Sequence, residues 1–267
     1  EYVLRNPLPQ KWWQFGERQP ALQRAIVGYE RVLVCSQTSK YLAFVLLPSN
    51  IVFSHKTVVI AYQKFLHFAI LQTRCHEIWA KFFGSSMKDD PVYTSSDCFV
   101  TFPFPPNWEN NPQLETIGKE YYEYRAQLMI ANNQGLTTTY NRFHDPDEFD
   151  PAILKLRKHH NLMDRAVLDT YGWQDIQPLC EFLLDYEDEE EAPDPAGEGS
   201  KRREKKKPYR YRWTDDIRDE VLARLLALNE ACYQEEVLRG DKEKVKGEKA
   251  KGGKKNIKDE TLLIPNL

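Results

Sequence analysis

Arg31-Val-Leu-Val-Cys35 is the first of three short apolar runs that decide the fold, and it is followed by Tyr41-Leu-Ala-Phe-Val-Leu-Leu47 and Thr57-Val-Val-Ile-Ala-Tyr62. These runs are rich in β-branched and aromatic residues and are separated by turn-forming residues, which is typical of strands. From Gln63 to about Phe83 the apolar residues recur at three- and four-residue spacing, which indicates a helix. We therefore predict a mixed β-sheet with one main helix in residues 1–105.

A helical lobe is predicted for residues 106–186. One helix is expected from Leu114 to about Asn132, with Gly135 as its C-terminal cap. A second is expected from about Pro151 to Tyr171, because proline suits the first helical position and apolar residues recur at helical spacing behind it. Together with the sheet, these helices predict an α+β fold.

A charged arm follows the helical lobe. Acidic residues mixed with proline and glycine, and then a run of eight bases and one acid over Lys201–Arg212, predict a disordered linker at residues 187–212. A C-terminal helix is expected at residues 213–240 and a lysine-rich tail at 241–267. The basic run has two open interpretations: a solvated linker neutralised by the preceding acids, or a segment that holds phosphate without sequence preference.

Composition limits the class of protein. Five scattered cysteines, none in a C-x-x-C pair, argue against a disulfide framework and a zinc site and predict a reducing, cytoplasmic compartment. No apolar run approaches the ~20 residues that span a bilayer, so no membrane partner is expected. The net charge of −3 hides a division, because residues 1–105 carry eleven Lys and Arg against seven Asp and Glu. Local positive charge of this kind permits contact with nucleic acid.

Catalytic and metal-binding motifs are not found in the sequence. It contains no G-x-G-x-x-G, no G-x-x-x-x-G-K-[ST], no H-E-x-x-H and no G-x-S-x-G. We therefore predict no catalytic residue, no cofactor-binding residue and no metal ligand in this chain.

Seven blocks carry a resemblance to a known family. In chain order they are Trp12-Trp-Gln-Phe-Gly16, Arg31-Val-Leu-Val-Cys-Ser-Gln-Thr-Ser-Lys-Tyr41, His76-Glu-Ile-Trp-Ala-Lys-Phe-Phe-Gly-Ser-Ser86, Tyr93-Thr-Ser-Ser-Asp-Cys-Phe99, Thr101-Phe-Pro-Phe-Pro105, Gly135-Leu-Thr-Thr-Thr-Tyr-Asn-Arg-Phe-His144 and Met163-Asp-Arg-Ala-Val-Leu-Asp-Thr-Tyr-Gly-Trp173. Their order and spacing resemble the target-recognition region, with the helical region behind it, of type IIG/IIL (MmeI-like) restriction-modification DNA methyltransferases. The resemblance extends over about residues 10 to 235.

The resemblance implies an activity that belongs to a longer protein. In such families a methyltransferase domain precedes this region and transfers a methyl group from S-adenosylmethionine, usually to adenine, at a site that the recognition region selects. Because the chain starts at Glu1, we expect it to be part of such a parent. The polar-Pro-Pro-aromatic loop that holds a flipped base and the glycine-rich turn for the methyl donor do not occur here. The expected partners are double-stranded DNA and the N-terminal methyltransferase domain.

Polar and basic residues on turns are the candidate DNA contacts, since base edges are recognised by hydrogen-bonding side chains and the DNA backbone by cations. The turn Ser36-Gln-Thr-Ser-Lys40, here called the polar turn, supplies such groups between two strands. The alternative interpretation is a turn that only faces solvent. Gly84-Ser-Ser-Met-Lys88 suits phosphate or is only a helix stop, and Arg74 and Lys81 share a helix face that borders DNA or solvent. The predicted DNA-binding residues are Arg31, Ser36, Gln37, Thr38, Ser39, Lys40, Arg74, Lys81, Ser85, Ser86, Lys88 and Thr94.

An alternative function is a protein-interaction module in which the helical part and charged arm dock a partner subunit of a defence system. The two hypotheses differ in what the surface should look like. Convergence of Arg31, Lys40, Arg74, Lys81 and Lys88 on one face favours DNA recognition. Scattered charges with a large exposed apolar patch favour the interaction module.

Overall fold

The computed structural model describes residues 20–87, 90–184, 209–238 and 262–263. Several predicted features lie outside these ranges: the tryptophan pair that begins at Trp12, the acidic part of the linker, and most of the lysine-rich tail. In the described part, helices surround a small, mainly antiparallel sheet, so the predicted α+β fold is confirmed.

The three predicted strands form the central sheet. They are β1 (Arg31–Ser36), β2 (Phe44–Pro48) and β3 (Thr57–Ile60), in the order β2-β1-β3 and antiparallel throughout. Their apolar composition suits burial on both faces. Val32 and Val34 of β1 pack beneath the short helix α1 (Pro20–Ala25), whereas Leu33 and Cys35 face the main core. A two-residue strand, β8 (Leu262–Leu263), pairs in parallel with β3.

The single helix predicted for Gln63–Phe83 is wrong in one respect, because two helices occupy this stretch. They are α2 (Phe65–Gln72) and α3 (Arg74–Phe83), and Thr73 between them is extended, with φ −73° and ψ 163°. The Thr73 hydroxyl donates a hydrogen bond of 2.7 Å to the Ile70 carbonyl. A threonine side chain that bonds nearby backbone in this way competes with helical hydrogen bonding. The apolar spacing continues across the break because both helices are buried.

A small hairpin follows α3 and approaches the polar turn. Its strands are β4 (Ser85–Met87) and β5 (Asp90–Val92), and a five-residue π-helix (Ser95–Phe99) comes next. Phe102, in the block Thr101-Phe-Pro-Phe-Pro105, is buried in the main core, and its ring contacts Phe104.

Three successive α-helices, α4 to α6, begin the second part of the described chain, here called the helical half. The first is α4 (Pro112–Ala131), which is capped at its start by the Asn111 side chain. Gly135 does not cap its C-terminus as predicted, because α4 ends at Asn132 and Gly135 is the N-cap of an unpredicted helix, α5 (Leu136–Phe143).

The third of these helices is α6 (Pro151–Thr170), which has Pro151 at its first turn as predicted. An antiparallel hairpin follows, made of β6 (Cys180–Leu184) and β7 (Tyr209–Trp213). Residues 209–212 were predicted to be disordered linker, and this is wrong, because their alternating Tyr and Arg side chains form a strand. The C-terminal helix α7 (Asp215–Leu238) lies where it was predicted.

One apolar core runs through both halves. It contains Leu33 of β1, Phe68 of α2, Tyr121 of α4, Leu156 of α6 and Leu225 of α7. The boundary predicted near residue 105 therefore separates the sheet from the helices that follow it, but residues on both sides of the boundary belong to the same core.

Among the described residues, no helix is both long enough and apolar enough to cross a membrane.

Candidate nucleic-acid interface

The polar turn is held by hydrogen bonds of its own backbone. The Gln37 N–H donates to the Lys56 carbonyl at 2.9 Å, and the Gln37 carbonyl accepts from the Tyr93 N–H at 2.7 Å. Thr38 forms an isolated antiparallel bridge with Val92 at the end of β5. The backbone of the turn is thus fixed between the sheet and the small hairpin, while the side chains of Ser36 and Thr38 are exposed.

A small cleft opens where the polar turn faces α3 and β5. Four of the predicted DNA-binding residues line it: Ser36, Ser39, Lys40 and Lys81. Glu77, one turn before Lys81 on α3, also lines the cleft. The structure therefore brings hydroxyl, ammonium and carboxylate groups to one place from segments up to 45 residues apart in sequence.

The carboxylate in this cleft stays ionised. Burial by itself would raise the pKa of Glu77, but the positive charges of Lys81 and Arg210 outweigh it and lower the pKa to about 2. The Lys81 ammonium lies 3.0 Å from the Glu77 carboxylate. Near neutral pH, Glu77 therefore offsets part of the positive charge that the cleft presents.

Lys40 is held in place by a residue of the helical half. Its ammonium donates a hydrogen bond of 2.8 Å to the side-chain oxygen of Asn141 on α5. The Tyr41 hydroxyl donates to the same Asn141 oxygen at 2.7 Å. Asn141 is missing from the predicted site, although its block was quoted for the resemblance, because residues 100 positions apart in sequence show no local pattern.

Arg210 of β7 and His144, just after α5, complete the support of the turn. The Arg210 guanidinium donates to the Lys40 carbonyl at 2.9 Å and lies 4.4 Å from the centre of the Tyr41 ring. The His144 ring stacks on Tyr41, with centroids 5.0 Å apart, and its Nδ1 accepts from the Tyr211 N–H. Burial, with Arg210 and other cations nearby, lowers the pKa of His144 well below 6.5. The imidazole is therefore neutral and carries its proton on Nε2.

Arg74 does not fit the predicted phosphate contact. Its side chain is only 3% exposed and forms an ion pair with the fully buried Asp164 of α6. It also donates to the Tyr211 carbonyl at 3.2 Å. Contact with a phosphate would require this buried pair to separate, so the structure assigns Arg74 to the packing of α3 against α6.

Arg31 lies away from the cleft, at the opposite end of β1 from Ser36. Its Nε donates to the Gln63 carbonyl at 2.9 Å, and its guanidinium covers the Phe65 ring at 4.3 Å. Arg31 is thus not brought together with the other predicted contacts.

The remaining predicted contacts lie on or next to the small hairpin. Ser85 is exposed and pairs with Val92, the residue bridged to the polar turn. The Thr94 hydroxyl donates to Asp97 at 2.9 Å, at the start of the π-helix. The side chain of Ser86 and the whole of Lys88 lie outside the described residues.

The positive charges that distinguish the two hypotheses converge only in part. Lys40 and Lys81 line one cleft, whereas Arg31 and Arg74 do not.

The part of the chain that is described contains no group of three or more His, Cys, Asp or Glu side chains that could hold a metal ion. The fold and cleft thus define an α+β module that presents polar, partly basic turns from a sheet braced by helices.

Comparison with known proteins specifies the kind of module. Residues 7–106 match the family described as MmeI, target recognition domain, and the resemblance inferred from the sequence is thereby confirmed over this range. Among solved structures, the chain is similar to one described as the type IIL restriction-modification enzyme MmeI in complex with DNA, with 22% sequence identity and a TM-score of 0.45. That similarity covers 54% of this chain and 19% of that one, so this chain spans only a small part of that enzyme's length. A search of curated proteins finds no match.

Proposed function

We propose that this chain recognises a specific sequence in double-stranded DNA as the target-recognition part of a restriction-modification methyltransferase. The observation that carries the proposal is the match of residues 7–106 to the MmeI target recognition domain. That range includes the whole polar turn, α3 and the small hairpin.

The chemistry of the polar turn and of the cleft beside it supports this proposal. The amide of Gln37 can bond adenine in the major groove through two hydrogen bonds, and the ammonium of Lys40 can bond guanine acceptors. Lys81 at the rim of the cleft suits a phosphate, which fixes the protein's position on the duplex without reading sequence. A backbone held rigidly at the turn suits base recognition, because bases are distinguished by side-chain geometry.

The methyl transfer itself is assigned to another part of the parent protein. We propose that an N-terminal methyltransferase domain binds S-adenosylmethionine and methylates adenine, and that the parent acts in the cytoplasm. The connection from β3 to α2, residues 61–64, has no glycine that would let the backbone approach a methyl donor closely, which supports the proposal that the donor binds elsewhere in the parent.

Two variants distinguish contact with bases from contact with phosphates. Gln37→Ala should reduce the preference for one base pair of the target, by about 1–3 kcal/mol, and leave other positions unchanged. Lys81→Ala should weaken binding to every sequence and reduce the salt slope of the binding constant by about 1. Both are measured as dissociation constants for the target duplex and its single-base-pair variants at several salt concentrations.

Lys119→Ala is the matched control, because Lys119 also pairs with a glutamate four residues away but lies on the exposed surface of α4. Lys119→Ala should change neither the preference for one base pair nor the salt slope of the binding constant. If Gln37→Ala and Lys81→Ala behave like this control, the polar turn and cleft do not contact DNA, and the chain acts instead as a docking module for a protein partner.

A further inference from the structure

The polar turn lies inside the matched range of residues 7–106, but part of its support lies outside that range. Asn141 bonds the Lys40 side chain, and Arg210 bonds the Lys40 carbonyl. These two residues follow the last matched residue by 35 and 104 positions. The conformation of Lys40 is therefore set by the helical half as well as by the matched domain.

We propose that Asn141 is a positioning residue for base recognition: its side-chain oxygen fixes the direction in which Lys40 presents its ammonium to DNA. This proposal rests on the proposed function of the polar turn. It extends the unit that determines sequence preference beyond residue 106, to α5 and to Arg210 of β7.

The geometry around the Asn141 oxygen explains how it acts. The oxygen accepts two hydrogen bonds, from the Lys40 ammonium at 2.8 Å and from the Tyr41 hydroxyl at 2.7 Å. Tyr41 is buried and stacked against His144, so it holds the Asn141 side chain in one orientation. A lysine ammonium has three donors on a flexible stem, so one bond to Asn141 restricts the stem and leaves two donors for base acceptors.

The contact of Lys40 with Tyr41 and the exposure of Asn141 also support a positioning role for Asn141. The ammonium lies 5.0 Å from the centre of the Tyr41 ring, a cation–π distance. Asn141 itself is exposed on α5, so removing its side chain leaves no cavity in the core. A variant at this position should thus alter the orientation of Lys40 without unfolding the protein.

The inference is tested with four variants of the full chain: Lys40→Ala, Asn141→Ala, Asn141→Asp and the control Thr138→Ala. Thr138 is exposed on the same helix and, within the described residues, its side chain makes no hydrogen bond. Each variant is compared with the wild type for its discrimination ratio, which is the affinity for the target duplex divided by that for each single-base-pair variant. Thermal unfolding is measured in parallel.

Lys40→Ala and Asn141→Ala should both reduce discrimination by about fivefold or more, at the same base pair. Asn141→Asp keeps an oxygen that accepts both bonds, so its ratio should stay within about twofold of the wild type. Thr138→Ala should leave the ratio unchanged, and all four proteins should unfold at nearly the same temperature.

Two results would overturn the inference in distinguishable ways. If Lys40→Ala loses discrimination but Asn141→Ala keeps it, or if Asn141→Asp fails to preserve it, Asn141 does not position Lys40, while the function proposed for the polar turn stands. If Lys40→Ala and Gln37→Ala both keep the wild-type ratios, the turn does not recognise bases, and the proposed site fails together with the inference.

Discussion

At the scale of single residues, the cleft combines cations that suit phosphate with one acid that opposes it. Glu77 lies among Ser39, Lys40 and Lys81, and its lowered pKa keeps it ionised near neutral pH. A carboxylate close to a bound phosphate weakens the attraction of the surface to that phosphate. Under the proposed function, we expect an acid at this place to limit sequence-independent binding and so to favour discrimination between sequences.

The variant Glu77→Gln should therefore bind every duplex more tightly, by about 3- to 30-fold at low salt, with an unchanged order of preferred sequences. The effect should shrink as the salt concentration rises, because salt screens the charge that has been removed. Binding titrations at several salt concentrations measure both quantities. Glu123→Gln is the matched control, since Glu123 also pairs with a lysine but lies on α4 away from the cleft. An equal gain in both variants would mean that only the net charge of the protein matters.

Residue roles could be predicted from sequence only where they depend on local pattern. A turn of Ser, Gln, Thr and Lys between two apolar runs indicates exposed polar groups, and four of the predicted residues do line one cleft. Arg74 shows the limit of this reasoning. Nothing near it in sequence reveals Asp164, which lies 90 positions later and holds the arginine in the core. The link between Lys40 and Asn141 could not be predicted for the same reason.

At the scale of elements, helices and strands could be predicted where the apolar residues recur at the spacing of a single helix or strand. The strands β1 to β3 and the helices α4, α6 and α7 lie close to their predicted positions. The strand β7 was missed because its composition, Tyr-Arg-Tyr-Arg-Trp, is that of a basic linker, although its alternation is that of a strand. In this stretch, period-2 alternation is a better indicator of the structure than basic composition.

The contact between α2 and α4 depends on a glycine. A Cβ atom at Gly118 would lie 2.4 Å from the carbonyl oxygen of Phe65 and 3.0 Å from the Cβ of Ala69. The backbone of α4 can approach α2 this closely only because no side chain stands between them. Tyr122 of the same helix then reaches the sheet, where its hydroxyl donates to the Leu46 carbonyl.

Gly118→Ala should therefore destabilise the protein by about 1–3 kcal/mol, because α4 must shift away from the backbone of α2. The free energy of unfolding in urea measures the change. Gly135→Ala is the control for the steric effect, since no atom lies within 4 Å of an added Cβ there. If the two variants differ by less than about 0.5 kcal/mol, the close approach of α2 and α4 is not what the structure indicates.

At the scale of the whole molecule, the matched domain and the helices behind it share one apolar core. The core that contains Phe44 and Phe68 also contains Tyr121, Leu156 and Val221, and the buried pair of Arg74 and Asp164 joins the halves. Residues 7–106 taken alone would expose the apolar face that α4 and α6 cover. If this range recognises DNA as proposed, we expect it to need the helical half as a support.

A fragment of residues 1–106 should show no cooperative unfolding transition, whereas a fragment of residues 1–238, which keeps α4 to α7, should unfold cooperatively. Circular dichroism during thermal and urea unfolding distinguishes the two. A cooperative transition of the short fragment, at a temperature close to that of the full chain, would mean that the shared core adds little to its stability.

The proposed function requires this chain to select a DNA sequence through the polar turn and the cleft beside it. We would test this by selecting duplexes from a randomised library with the purified chain, for the wild type and for a Gln37→Ala, Lys40→Ala double variant. One short recurring motif is expected for the wild type. The double variant should lose specificity at one or two positions of that motif and keep the others. An unselected library for the wild type, or an identical motif for both proteins, would contradict the proposed function.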